Sequence, residues 1–110
     1  MASRRKRRGG KNRKLQRKLI EVINNLRREL DLENVPVILG GLGTFLNPNR
    51  FAARDEYDAL IQQAAAELPN AGFVSAEGLE HRGDNLHFDT PSQYELAKRY
   101  FEEYCRLKQI

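Results

Sequence analysis

A single cysteine, Cys105, rules out an intramolecular disulfide in this 110-residue chain and fits a reducing compartment. No apolar run approaches about 18 residues, so no membrane-spanning helix is indicated. Apolar residues are also missing behind the charged N-terminus, which therefore does not read as a secretory signal. The location stays open, with the cytoplasm as the default. The length sets the expectation of one small domain with one modest core. The composition, 40% hydrophobic and 31% charged, is ordinary for a globular protein.

Acidic residues are absent from the first part of the chain. Residues 1–18 hold ten Lys and Arg and no acid, which leaves nine basic against fifteen acidic residues in 19–110, a net of −6 for that part. The chain as a whole is +4. Basic tail and acidic body thus have the character of segments with different partners. Residues 1–13 also lack any large apolar side chain after Met1, and like charges repel, so they read as a disordered basic tail.

From Lys14 the pattern changes. Leu15, Leu19, Val22, Ile23, Leu26 and Leu30 recur at spacings of three and four, which predicts a helix with one apolar stripe, Arg27, Arg28 and Glu29 lying off it. Asp31–Asn34 are turn formers. Residues 35–39, Val-Pro-Val-Ile-Leu, have the short β-branched character of a buried parallel strand, with Pro36 at its start. Gly40, Gly41 and Gly43 end it, and a long loop runs through Asn47-Pro-Asn49. A second helix is expected over 52–68, with Tyr57, Leu60, Ile61, Ala64, Ala65 and Leu68 on its inner face. A second strand is expected over 72–75. After a polar loop, Thr90 reads as an N-cap, with Pro91 at the first helical position and Gln93 completing a capping box. Tyr94, Ala97, Phe101, Tyr104 and Cys105 are the expected inner positions of this last helix. Helix, strand, helix, strand, helix predicts α/β layers with parallel strands. Two strands make a marginal sheet, so the chain reads as the later portion of a larger doubly wound domain.

The chemistry-bearing residues concentrate in Glu80-His-Arg-Gly-Asp-Asn-Leu-His-Phe-Asp89. The segment follows a strand and precedes a helix, where open α/β sheets carry reactive loops. A tight turn can bring the Asp84 carboxylate to one imidazole nitrogen of His87. The carboxylate then fixes the tautomer and stabilises the imidazolium, leaving the other nitrogen to take a proton from a serine. Taken alone, D-x-x-H reads rather as a solvated loop whose Asp and His cap turns.

The wider context resembles a known group. Val74-Ser-Ala-Glu-Gly-Leu79, then Gly83-Asp-Asn-Leu-His-Phe-Asp89, then Ser92-Gln-Tyr-Glu-Leu-Ala-Lys-Arg-Tyr100 is similar to the end of the sialate O-acetylesterase-like carbohydrate esterases of the SGNH (GDSL-like) hydrolase superfamily. That family has a D-x-x-H-F block followed by a final helix. Upstream, Leu19-Ile20, Leu26-Arg-Arg-Glu-Leu30 and Val35-Pro-Val-Ile-Leu-Gly-Gly-Leu-Gly43 resemble the preceding helix and strand. The resemblance spans roughly 15–104 and implies that 14–110 is the C-terminal portion of an SGNH-hydrolase-like domain. The implied fold is an incomplete flavodoxin-like three-layer α/β domain with short parallel strands and flanking helices. The implied reaction is hydrolysis of an acetyl ester on a sugar through an acyl-serine, without metal or organic cofactor. By position, His87 is the general base and Asp84 the acid that orients it. The family's serine, and the glycine and asparagine of its oxyanion hole, lie in earlier blocks. Ser3, Ser75 and Ser92 do not match that serine block, so the expectation is an incomplete copy, inactive by itself.

Other readings rank lower. His81, Asp84, His87 and Asp89 as metal ligands match no strong zinc signature. His81 reads as an exposed loop residue. The glycines after the first strand lack phosphate-loop spacing. Arg50 and Arg54 read as solvated helix residues rather than ligands of a substrate carboxylate, and Cys105 as packing. The basic tail reads as a solubilising segment. The alternative is a noncatalytic basic-tailed binding protein that meets nucleic acid or an anionic surface through phosphate contacts.

Overall fold

The computed structural model describes the backbone of residues 2–109 and the side chains of residues 10 and 12–109. Five elements follow in the expected order: α1 (Ala2–Leu30), β1 (Val37–Gly40), α2 (Arg54–Glu67), β2 (Ala71–Val74) and α3 (Thr90–Lys108). The strands are parallel, with Val37 opposite Ala71 and Gly40 opposite Val74, and α2 makes the crossover between them. This is the mixed helix and strand arrangement of an incomplete α/β domain. The α1 backbone is helical from Ala2, whereas the sequence pattern starts that helix near Lys14. Arg and Lys are themselves good helix formers. The expected disorder of residues 1–13 falls largely on Met1 and on side chains 2–9 and 11, which lie outside the described residues.

The core centres on α2. Leu60, Ala64, Ala65 and Leu68 are buried from that helix, with Ile23 of α1, Val74 of β2 and Ala76 and Leu79 beyond it. In the paired register, Ile38, Gly40, Gly72 and Val74 share one face of the sheet. That face meets α3: a β-carbon on Gly40 would strike the Tyr100 hydroxyl, and one on Gly72 the Glu103 carboxylate.

Arg27 corrects the apolar stripe expected in α1. It is not off the stripe at the surface but 4% exposed, facing inward with Ile23. Its guanidinium donates to Pro69 O at 2.6 Å, Asn70 O at 2.8 Å and Val35 O at 3.1 Å. These carbonyls stand just before β1 and β2, so one side chain ties α1 to the starting ends of both strands. Asn70 adopts the left-handed conformation (φ 50°), and its carbonyl also accepts from Val37 N–H. Asp31 (φ 57°) ends α1 in the same conformation, with Leu32 N–H donating back to Arg27 O. Meanwhile Leu15, Val22, Leu26 and Leu30 are exposed, because two strands offer no surface for that side of the stripe.

The inner face expected for α3 is also corrected. Tyr94, Phe101 and Tyr104 are exposed, at 75%, 65% and 39%, and so is Ala97, with Cys105 half-buried. The helix turns Ser92, Leu96, Arg99, Tyr100 and Glu103 inward instead. The space over Gly40 and Gly72 accepts the ends of long polar side chains, whereas the aromatic stripe has no sheet beneath it. The N-cap is Asp89 rather than Thr90: its carboxylate accepts from Ser92 N–H at 2.8 Å, and Thr90-Pro91 open the helix behind it. Gln93 donates to Phe88 O instead of closing a capping box.

Arg27→Ala is expected to lower unfolding stability by about 3 kcal/mol, since it removes three hydrogen bonds where the two strands begin and leaves Asn70 O with only its bond from Val37 N–H. Urea denaturation followed by circular dichroism measures this, and a loss below about 1 kcal/mol would show that the clamp contributes little.

Candidate functional site

Parallel pairing places the loops after β1 and β2 at the same end of the sheet. The loop after β2 is tightly organised. Asp89 N–H donates to Glu80 O and Arg82 N–H to His87 O, both at 2.9 Å, and His81 bridges Phe88 in antiparallel fashion. The chain therefore folds into a small hairpin over 80–89. Gly83 (φ 116°) and Asn85 (φ 56°) supply the left-handed positions its tip requires.

Asp84 organises that tip. One carboxylate oxygen accepts Leu86 N–H at 2.9 Å and His87 N–H at 2.8 Å. The other lies 2.6 Å from His87 Nδ1 and accepts Arg82 Nε at 3.2 Å. Opposite a carboxylate, Nδ1 is the donor, which assigns the proton to Nδ1 and leaves Nε2 as the acceptor. Among the described residues nothing bonds to Nε2, and the His87 side chain is 60% exposed. The His87 backbone N–H, then its ring, then Leu86 N–H and the Arg82 guanidinium hold the Asp84 carboxyl well below the usual carboxylate range. All favour the ionised form. The close Asp–His approach expected from the sequence is present.

His81 is a correction. It is half-buried, and its Nδ1 accepts Gly83 N–H at 3.0 Å and Asn85 N–H at 3.1 Å. Its ring lies 5.3 Å from Phe45, which packs edge-on against Phe88 at the same distance. His81 is thus a structural acceptor inside the hairpin. Among the described residues, no group of three or more His, Cys, Asp or Glu is placed to hold a metal ion.

Several supporting residues escape the sequence pattern. Phe45 joins the loop after β1 to the hairpin. Arg54 donates to Leu42 O at 2.7 Å and Gly43 O at 3.1 Å, while Asp58 accepts Leu42 N–H at 2.8 Å. Arg54 is therefore neither a solvated surface residue nor free to meet a substrate carboxylate. The i,i+4 spacing of Arg54 and Asp58 is the one signal visible beforehand. Arg99 of α3 donates to Ser75 O at 2.8 Å and Glu77 O at 3.0 Å, fixing the start of the hairpin loop. Asp89, which caps α3, is likewise shifted below the usual range, chiefly by Ser92.

The family model described as carbohydrate esterase, sialic acid-specific acetylesterase, matches residues 7–106, most of the chain and the whole hairpin. The chain belongs to this carbohydrate esterase family. No curated protein matches it. The matched residues of this esterase-family chain include Asp84 and both of its histidines, His81 and His87. No helix among the described residues is long and apolar enough to cross a membrane.

Because the folded value for Asp84 is depressed, its contribution to hairpin order is present above the ordinary aspartate range and is lost only as pH falls through the lower folded value. The Asp84 carboxyl ¹³C resonance should keep its ionised position at about pH 3, where an unperturbed aspartate is mostly protonated. A midpoint near 4 would contradict the pinned geometry.

Proposed function

We propose that this chain carries the acid–base half of a carbohydrate O-acetylesterase site of the SGNH type, with His87 as general base and Asp84 as its orienting acid. The observation that carries the reading is the 2.6 Å contact from Asp84 to His87 Nδ1, with Nε2 unengaged. A serine delivered to Nε2 would lose its proton there and attack an acetyl carbonyl on a sugar; His87 would pass that proton to the departing sugar oxygen, and water deprotonated at the same nitrogen would then hydrolyse the acetyl-serine, releasing acetate and restoring the serine. The family description supports a carbohydrate ester as substrate, and sialate as the sugar is the finer form of the same proposal. That mechanism calls for no metal or organic cofactor.

The serines with described side chains are otherwise committed. Ser75 Oγ accepts Glu77 N–H at 3.0 Å in a local turn. Ser92 is buried, and its hydroxyl accepts Glu80 N–H at 2.8 Å. Neither lies in a strand-to-helix nucleophile turn. We therefore propose that the chain by itself is close to inactive, since loss of a serine nucleophile costs on the order of 10⁶ in turnover.

Acetate release from an O-acetylated sialic acid by the purified chain, set beside His87→Ala, tests this. The expected result is no difference between the two proteins. Robust turnover that the substitution abolishes would overturn the proposed inactivity and would mean that a serine in this chain completes the site.

A further inference from the structure

Independently of the esterase reading, we propose that the first half of α1 binds the phosphate backbone of a nucleic-acid duplex. The ten basic residues of 1–18 are drawn onto one helix that begins at Ala2. At 1.5 Å per residue, positions 4–18 cover about 21 Å. Duplex DNA carries about twelve phosphate charges over that length, and its major groove admits an α-helix.

Of the ten, Arg13, Lys14, Arg17 and Lys18 have described side chains, and all four are exposed. They form a cluster at i, i+1, i+4 and i+5, which lies along one side of a helix. No hydrogen bond or ion pair among the described residues engages any of them. The acidic remainder of the chain, net −6, repels a polyanion and so restricts contact to this end.

The alternatives fit less well. An interfacial membrane helix needs a broad apolar face, and residues 2–14 carry no large apolar side chain. Single-stranded nucleic acid is held by aromatic stacking, and the first aromatic residue of the chain is Phe45. What remains is charge along a rod, which reads phosphates without reading bases.

The test is fluorescence anisotropy of a labelled 20-base-pair duplex of arbitrary sequence, titrated with the full chain at several salt concentrations. Binding should be sequence-independent, with a Kd of roughly 10⁻⁴–10⁻⁶ M at physiological salt and a steep loss as salt rises. Replacing Arg13, Lys14, Arg17 and Lys18 by Gln should weaken it at least about tenfold and reduce the salt slope by about 3 to 4. A melting curve for that variant coincident with the parent chain shows that the fold is kept. No binding at about 50 mM salt, an unchanged slope in the variant, oligo-dT bound as tightly as the duplex, or phosphatidylserine vesicles preferred over it would each overturn the proposal.

Discussion

The structure depends on arginine side chains gripping backbone carbonyls at both ends of a very small sheet. Two parallel strands of four residues each leave one side of each strand unpaired, and such a pair is marginal by itself. Arg27 crosses from α1 to Val35, Pro69 and Asn70 and fixes the points where both strands begin. Arg54 holds Leu42 and Gly43 just beyond the end of β1, and Arg99 holds Ser75 and Glu77 just beyond the end of β2. A rigid planar fork suits this work because it satisfies several carbonyls from one position, which an ammonium on a flexible stem does less well. The loops beyond the strand ends are thereby held from helices on either side rather than from sheet neighbours.

The Asp84–His87 pair is held by a second device, nested in the first. The hairpin over 80–89 closes on its own backbone bonds, His81 fills its interior as an acceptor, and Phe45 props it from the loop after β1. The tip needs Gly83 and Asn85 in left-handed conformations, and Asp84 accepts the N–H groups that this turn leaves without partners. The same carboxylate therefore shapes the turn and orients the imidazole. The reading of these residues as turn caps and the reading as a dyad describe one geometry.

The elements themselves are legible in the sequence because their signals are local: β-branched runs, turn residues and 3.6-residue periodicity place the strands, α2 and α3 within a few residues, though not the start of α1. The D-x-x-H contact is legible because three residues in a tight turn leave little freedom. Which helix face turns inward is not. Tyr94, Phe101 and Tyr104 form the more apolar stripe of α3 and yet stand in solvent, whereas Tyr100 and Glu103 face the sheet over Gly40 and Gly72 and Arg99 reaches the carbonyls beyond β2. Periodicity assumes that a surface exists to cover the apolar stripe, and a two-stranded sheet supplies little of it. Arg27 is hidden from the pattern because its partners are carbonyls 8 to 43 residues away that no local signal reveals. The cap of α3 falls on Asp89 rather than Thr90 because both are good N-caps and adjacent, and Ser92 at the third position rewards the aspartate.

The proposed role of the hairpin requires His87 to keep its proton on Nδ1 against Asp84, with Nε2 free to accept. Long-range ¹H–¹⁵N correlation spectra of the imidazole report this directly at neutral pH. The expected result is a protonated Nδ1 with a downfield hydrogen-bonded proton, an unprotonated Nε2, and loss of that proton signal in Asp84→Ala while His81 keeps its own tautomer. A His87 ring protonated on Nε2 in the folded protein, unchanged by the Asp84 substitution, would contradict it.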